Sequence, residues 1–415
     1  KLCGNGLILY ICHMVTIDKL ISLRGSEYFR GFEGVDGPTP IWLCELQVNK
    51  IPCDYSNPDV KWLFPSVGHG THAFIVFWKY MDSLSKIFMN EEERSRHILQ
   101  NMLYLNEINP WLCRQLCKQG FINVIEGDYL EYETKMKFDC IVANYPFEKS
   151  VGKKKTQAIW PKFIEKSLTL LKEGGIVSEI HPDGWRNPYG NFKWIQEIIK
   201  NKKILRLEIY DEIKGLEVFG KSTTFDIVTI QNSDKCKHKT IVKDSIGNEL
   251  NMVLDNIEYI PNSKIELFNS IIAKENEEKV NLIHSYSSYE TRKPWISNEL
   301  TEEYCYPIIY TTQKDGTINL KYSSTNQNGH FGISKVIWSN GVASSLVMDL
   351  EGQYGLTQFS YAITDSEENL HKIYQAMNSE KFINLMKFAD GKQHKYKYKV
   401  ISTFRKDFWK EFIDE

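Results

Sequence analysis

Four consecutive residues, Asn144, Tyr145, Pro146 and Phe147, put three useful groups into one turn. They are an amide side chain, the backbone carbonyl of Tyr145 and the aromatic face of Phe147. Phe138, Cys140, Ile141, Val142 and Ala143 ahead of them form a near-continuous apolar run, as a central parallel strand requires. The run stops at Asn144, and Pro146 prevents it from continuing as a strand. The polar turn is therefore expected at the carboxyl end of a strand, where open α/β sheets bind ligands.

Three further groups precede it in the chain. Trp62 to Phe64 reads as a short strand, followed by Pro65 and a Gly68-x-Gly70 turn into a helix. Glycines let the backbone pass close to a ligand, and a helix N-terminus favours a negative group. His69 and His72 flank this turn and read as surface histidines. The run from Asn101 ends in Glu107, an acid placed to hold ribose hydroxyls if it closes the second strand of a Rossmann-like sheet. The β-rich run from Ile122 ends in Gly127-Asp128. The gaps between Glu107, Asp128 and Asn144 suit strand–helix–strand and strand–loop–strand units. Upstream, Thr39 is placed to cap a helix that has Pro40 in its first position.

In this order the segments resemble the motifs of adenine-N6 methyltransferases of the restriction–modification type, which depend on S-adenosylmethionine (SAM). Asn144, Pro146 and Phe147 match the family's Asn-Pro-Pro-Phe/Tyr motif, with Tyr145 in place of the first proline. Pro65, Gly68 and Gly70 match its Asp-Pro-x-x-Gly-x-Gly, with Phe64 in place of the acid that holds the SAM ammonium. The resemblance implies that Asn144 and the Tyr145 carbonyl accept hydrogen bonds from the exocyclic amine of a flipped adenine, with Phe147 stacked on the base. It implies a cofactor site of Thr39, Pro40, Pro65, Gly68, Gly70, Glu107 and Asp128, the last accepting from the adenine amine of SAM. No metal is implied.

The elements that must position these groups alternate β and α, which implies a mostly parallel sheet with helices on both faces. Ile159 to Leu171 has helical spacing, with Gly174 and Gly175 as its stop. Strands are expected at 176–180, 205–209 and 224–230, and a strong His181-Pro-Asp-Gly-Trp-Arg186 punctuation follows the first of them. The expected division is an N-terminal extension (1–35), a Rossmann-like methyltransferase domain (36–232) and a mixed α+β target-recognition domain (233–415). Lys153, Lys154 and Lys155 suit phosphate contact or plain solvation. From Lys392 to Val400 lysines alternate with aromatics. That pattern suits a strand presenting Lys395, Lys397 and Lys399 to a nucleic-acid backbone, or an edge strand protected by charge.

The chain has 415 residues, 42% hydrophobic and 25% charged, with a formal net charge of -2. It is no polycation, so nucleic-acid contact must come from local patches. Its nine cysteines are scattered without zinc-like spacing, and free thiols in a reducing compartment are expected. The apolar stretch from Leu7 to Thr16 is too short to span a bilayer, and a cytoplasmic location is expected. The partner expected is DNA, ahead of RNA, with a partner subunit as a further option. Since Phe64 and Tyr145 both touch the chemistry, a degenerate copy that binds DNA or a partner protein stands as the alternative to an active enzyme. Methylation of protein glutamine shares the motif, but the basic second region speaks against it.

Overall fold

The computed structural model describes residues 39–151, 156–187, 191–234, 238–255, 257–341, 344–389 and 396–413. The extension at 1–35 and Lys153, Lys154, Lys155 and Lys395 lie outside these residues. The chain divides into two compact units, one ending at Asp255 and the other beginning at Asn256.

The first unit is built on a sheet of nine strands among the described residues. After helix α1 (Ile41–Lys50), strand β1 (Trp62–Phe64) is buried on both faces. The turn at 65–70 leads into α2 (Thr71–Ser83). Asn90 then caps α3 (Glu91–His97), where the charged stretch reads as a solvated face or loop in the sequence. Strand β2 (Leu103–Glu107) runs parallel to β1, and α4 (Pro110–Lys118) connects it to the parallel β3 (Asn123–Glu126). The chain then returns to the other side of β1 as β4 (Phe138–Asn144), which places Ile141 opposite Leu63. This reversal makes β1 and β4 the switch point of the sheet, with Phe64 and Asn144 at adjacent carboxyl ends.

Strands β5 (Glu148–Ser150) and β6 (Thr156–Ala158) pair as a small hairpin. Helix α5 (Trp160–Leu170) leads into β7 (Leu171–Pro182), parallel to β4. Gly174 and Gly175 therefore lie inside a strand, not at a helix end. Leu171 already pairs with Phe138, so sheet pairing overrides the helix-stop signal. Helix α6 (Lys193–Lys200), β8 (Lys202–Tyr210), α7 (Glu212–Phe219) and β9 (Phe225–Asp234) follow, with β9 antiparallel between β7 and β8. Strands β10 (Thr240–Lys243) and β11 (Glu249–Met252) extend the sheet beyond β8. The first unit thus continues past 232, because the β8 edge still offers backbone groups to pair.

In the second unit, β12 (Asn281–Ile283), β13 (Ile296–Ser297), β14 (Tyr306–Thr312), β15 (Ile318–Ser323), β16 (Lys335–Ser339), β17 (Val347–Asp349), β18 (Gly355–Leu356) and β19 (Ser360–Thr364) form two four-stranded sheets. Helices α8 (Ile265–Ile271), α9 (Glu367–Asn378), α10 (Glu380–Met386) and α11 (Tyr398–Ile401) complete a mixed α+β unit. The described part of the lysine–aromatic alternation, 396–400, does not form a strand. Tyr398–Ile401 is helical, and Tyr396, Val400 and Ile401 sink into an apolar cluster with Phe404 and Phe408. Lys397 is 6% exposed, so burial of its neighbours has drawn it in, while Lys399 remains exposed.

Candidate active site

The turn after β1 is tied to the neighbouring strand. Val67 N–H donates to the Asn106 carbonyl at 3.0 Å, and Gly70 N–H to the Val67 carbonyl at 3.0 Å. Gly68 and Gly70 have φ of +57° and +85°. A side chain at Gly70 would also meet Leu116 Cδ2 at 2.7 Å, whereas one at Gly68 would enter open space. Gly70 is therefore required by packing and φ, and Gly68 by φ alone. Gly70 gives α2 no side-chain cap, and the dipole at this helix N-terminus favours an anion.

Glu107 closes β2 and is 6% exposed. Its Oε2 accepts from Gly68 N–H at 2.8 Å and its Oε1 from Asn109 N–H at 2.9 Å. The acid and the glycine turn are thus one unit. Its carbonyl accepts from Gly127 N–H at 2.9 Å, which carries the tie on to the turn of Asp128. Asp128 Oδ1 accepts from Leu130 N–H at 2.9 Å and caps a short 3-10 turn.

Asn144 ends β4 opposite Ile180 of β7. Its Nδ2 donates to Thr39 Oγ1 at 2.9 Å. Its Oδ1 is buried and has no hydrogen-bond partner among the described residues. Thr39 does not cap α1 as the sequence suggests. Pro40 occupies the N-cap position without a side-chain cap, and the Thr39 hydroxyl turns to Asn144. The reason is competition: a buried strand-end amide is a better partner for it than a solvated helix end. Phe147 meets Phe219 of α7 edge to face at 5.6 Å, and Phe219 meets Phe225 at 5.0 Å. Gly215 lets α7 approach, since a Cβ there would lie 1.8 Å from the Thr223 carbonyl oxygen.

Several residues without a motif signal hold this arrangement. Gln47, fully buried on α1, donates through Nε2 to the carbonyls of Ala143 at 3.1 Å and Ser178 at 3.2 Å. Its Oε1 is 2.8 Å from His72 Nε2. His72 is thus a buried histidine, 6% exposed, and not the surface residue its flanking position suggests. On the opposite face of β7, Glu179 and His181 are wholly buried, with Glu179 Oε1 3.9 Å from His181 Nε2. Among the described residues His181 Nε2 makes no hydrogen bond, and the Glu179 carboxyl has the Tyr145 hydroxyl beside it, which partly offsets its burial. Burial pushes the Glu179 carboxyl up to about 8 and pulls His181 down to about 4. His181 stacks flat on Trp160 at 5.0 Å. Beside them Asp226 Oδ2 accepts from Arg186 Nε at 2.9 Å and Trp185 Nε1 at 2.8 Å. Burial still raises Asp226 to about 6, against the pull of Arg186. The only sequence signal for this cluster is the His181–Arg186 punctuation after a strand.

The structure thus brings Thr39 onto Asn144 and Gly68 onto Glu107, with Asp128 one strand further along the same edge. Residues 71–219 match the Eco57I restriction-modification methylase family model. That segment runs from the first turn of α2 to the end of α7 and includes Glu107, Asp128 and the 144–147 turn. Over that segment the match agrees with the resemblance to restriction–modification methyltransferases read from the motifs. No curated protein matches the sequence. Among solved structures, a nuclease-deletion mutant of the Type ISP restriction-modification enzyme LlaGI, in complex with a DNA substrate mimic, is 11% identical, with a TM-score of 0.53 covering 90% of this chain and 54% of that one. The type IIG restriction endonuclease BpuSI is 12% identical, with a TM-score of 0.47 over 96% of this chain and 63% of that one. A modification subunit of a putative type I restriction enzyme from Vibrio vulnificus YJ016 is 15% identical, with a TM-score of 0.43 over 58% of this chain and 53% of that one. The LlaGI likeness is one of fold. The chain spans 53% to 63% of the length of these three structures. Among the described residues no helix is long and apolar enough to cross a membrane.

Proposed function

We propose that this chain transfers a methyl group from SAM to N6 of an adenine flipped out of DNA. One observation carries the reading: Asn144 holds a buried, unpartnered acceptor, Oδ1, at the carboxyl end of β4 beside the switch point. A buried acceptor without a donor costs about 1–3 kcal/mol. An exocyclic amine is the donor that this site lacks.

Adenine N6 is a poor nucleophile because its lone pair is delocalised into the ring. Accepting hydrogen bonds from its two N–H groups on Asn144 Oδ1 and the Tyr145 carbonyl favours a tetrahedral nitrogen and localises the lone pair. With Asn144 Nδ2 donating to Thr39 Oγ1, Oδ1 is the end left to face the amine. Pro146 and Phe147 complete the base pocket, Phe147 by stacking.

The residues around the β1 turn fit SAM, which supplies an electrophilic methyl group when bound. The uncapped α2 N-terminus behind Gly68 and Gly70 takes the carboxylate end, with Pro65 shaping the turn. Glu107 takes the ribose hydroxyls, each carboxylate oxygen keeping a lone pair beyond its backbone bond. Asp128 takes the adenine amine, and Thr39-Pro40 lies against the methionine end. The ammonium has no acid at the end of β1, because Phe64 is wholly buried in the core. That same absence favours a second reading, a methyltransferase-like subunit that binds DNA or a partner without transfer. The described lysine we assign to the DNA backbone is Lys399. Lys153, Lys154, Lys155 and Lys395 belong to the same proposal on sequence grounds.

The test is tritium transfer from labelled SAM to mixed-sequence DNA, with RNA in parallel. Incorporation that disappears in Asn144→Ala supports the enzyme. No incorporation, with DNA binding intact, supports the silent subunit.

A further inference from the structure

We propose that Ser167 is a positioning residue whose hydroxyl ties the cofactor loop to the catalytic turn, through Tyr129 on one side and Tyr145 on the other. The proposal rests on the functional reading above and concerns how its two halves are kept in register.

Tyr145 stands where the resembling family has proline. Proline holds a turn by fixing its own φ, and a tyrosine does so only if its side chain is anchored. Here it is. Tyr145 is 2% exposed, and its hydroxyl lies 2.6 Å from Ser167 Oγ. Ser167, fully buried on α5, lies 2.8 Å from the hydroxyl of Tyr129. Tyr129 is itself 2% exposed and directly follows Asp128. One serine hydroxyl has one donor and two lone pairs, enough to serve both phenols at once. Phe163, one turn earlier on α5, packs against both rings, at 5.5 Å from Tyr129 and 5.3 Å from Tyr145. Burial pushes both phenols upward, so they stay protonated as donors.

Three buried hydroxyls are costly unless each is satisfied, and a satisfied network fixes its members more sharply than apolar packing does. The network joins the residue after the proposed SAM-adenine acceptor to the residue after the proposed substrate-amine acceptor. Movement of either loop is therefore transmitted to the other through one side chain of α5.

The experiment uses the full chain without ligand and follows backbone amide hydrogen exchange at 128–131 and 144–147. Tyr145→Phe keeps the ring and its volume. It is expected to speed exchange about fivefold at 128–131 as well as in its own turn, the effect of one buried hydrogen bond. Tyr129→Phe does the converse, and Ser167→Ala loosens both loops, while amides of β2 stay unchanged in all three. In methyl transfer the KM for SAM rises in Tyr145→Phe, although that hydroxyl faces α5. Exchange that changes only in the mutated residue's own loop overturns the proposal, as does a uniform rise that includes β2. The exchange readout needs neither SAM nor DNA. A chain with transmitted exchange and no methyl transfer would sink the enzymatic reading and leave the bridge standing.

Discussion

Asn144 concentrates the proposed chemistry in one side chain: Nδ2 is held by Thr39 and Oδ1 is left over. Asn144→Ala should lower the rate of methyl transfer at least about a hundredfold, the scale of losing one preorganised group at a reacting centre. DNA affinity should change little, since phosphate contacts dominate it. Single-turnover kinetics beside a binding isotherm measures the two separately, and a parallel loss of both would remove Asn144 from catalysis. Phe64 behaves differently from its motif position. Restoring the family's acid there looks attractive from sequence alone. In the fold Phe64 is wholly buried and stacks on Trp62 at 6.1 Å. Phe64→Asp should therefore cost at least about 3 kcal/mol through lost packing and an unpaired buried carboxyl. Denaturant unfolding reads it, and tighter SAM binding with unchanged stability would refute it.

At the scale of elements, β7 carries an unusual load. Glu179 is raised to about 8 in the folded chain, so between its ordinary carboxylate value and pH 8 the folded state holds a proton that the unfolded state has lost. Stability therefore falls as pH rises through that window. Asp226, raised to about 6, acts in the same direction at lower pH. His181, lowered to about 4 from 6.5, opposes both between those values. Of these three groups only Glu179 still titrates above pH 6.5. From there to pH 8, stability should fall with a slope approaching 1.4 kcal/mol per pH unit, and Glu179→Gln should flatten the slope. An identical slope in both proteins would mean that Glu179 is ionised throughout. The second unit holds its own buried pair: Lys335 Nζ lies 2.7 Å from Asp349 Oδ2, at 0% and 2% side-chain exposure. Asp349 also accepts from Gln353 and Tyr354 N–H, which shapes the turn after β17. Lys335→Met should destabilise this unit by about 3–5 kcal/mol, because it leaves a buried charge unpaired. Replacing both partners with apolar residues should recover much of that loss, and thermal unfolding of the two variants compares them directly.

For the whole molecule, a net charge of -2 means that the proposed DNA contact must come from local patches of charge. The lysines near the C-terminus, read as equivalent along the sequence, separate in the fold. Lys399 is exposed, whereas Lys397 is 6% exposed in a layer of aromatics. Lys399→Ala should weaken binding on all sequences and reduce the slope of log affinity against log salt by about one. Lys397→Ala should lower thermal stability and leave that slope alone. Equal effects of the two on the salt slope would show that both reach phosphate.

What the residue pattern alone established is the order of the strand ends and turns along one edge of the sheet. The apolar run ending at Asn144, the Gly68-x-Gly70 turn, Glu107 and Asp128 are local patterns. Each sets its own strand end or turn through periodicity, φ demands and missing donors, so each is legible without its neighbours. The mostly parallel sheet followed from the same alternation. The tertiary structure decided everything that depends on a partner far along the chain. It turned Thr39 from a helix cap into the fixer of Asn144. It buried His72 against Gln47, placed Gly174 and Gly175 inside β7, and made the described end of the lysine–aromatic stretch, Tyr398–Ile401, helical. It also gave Tyr145, a departure from the motif, an anchor on Ser167. The physical reason is common to all of these. A polar group's role is set by which buried donor or acceptor it meets, and that meeting is a property of packing, not of spacing along the chain.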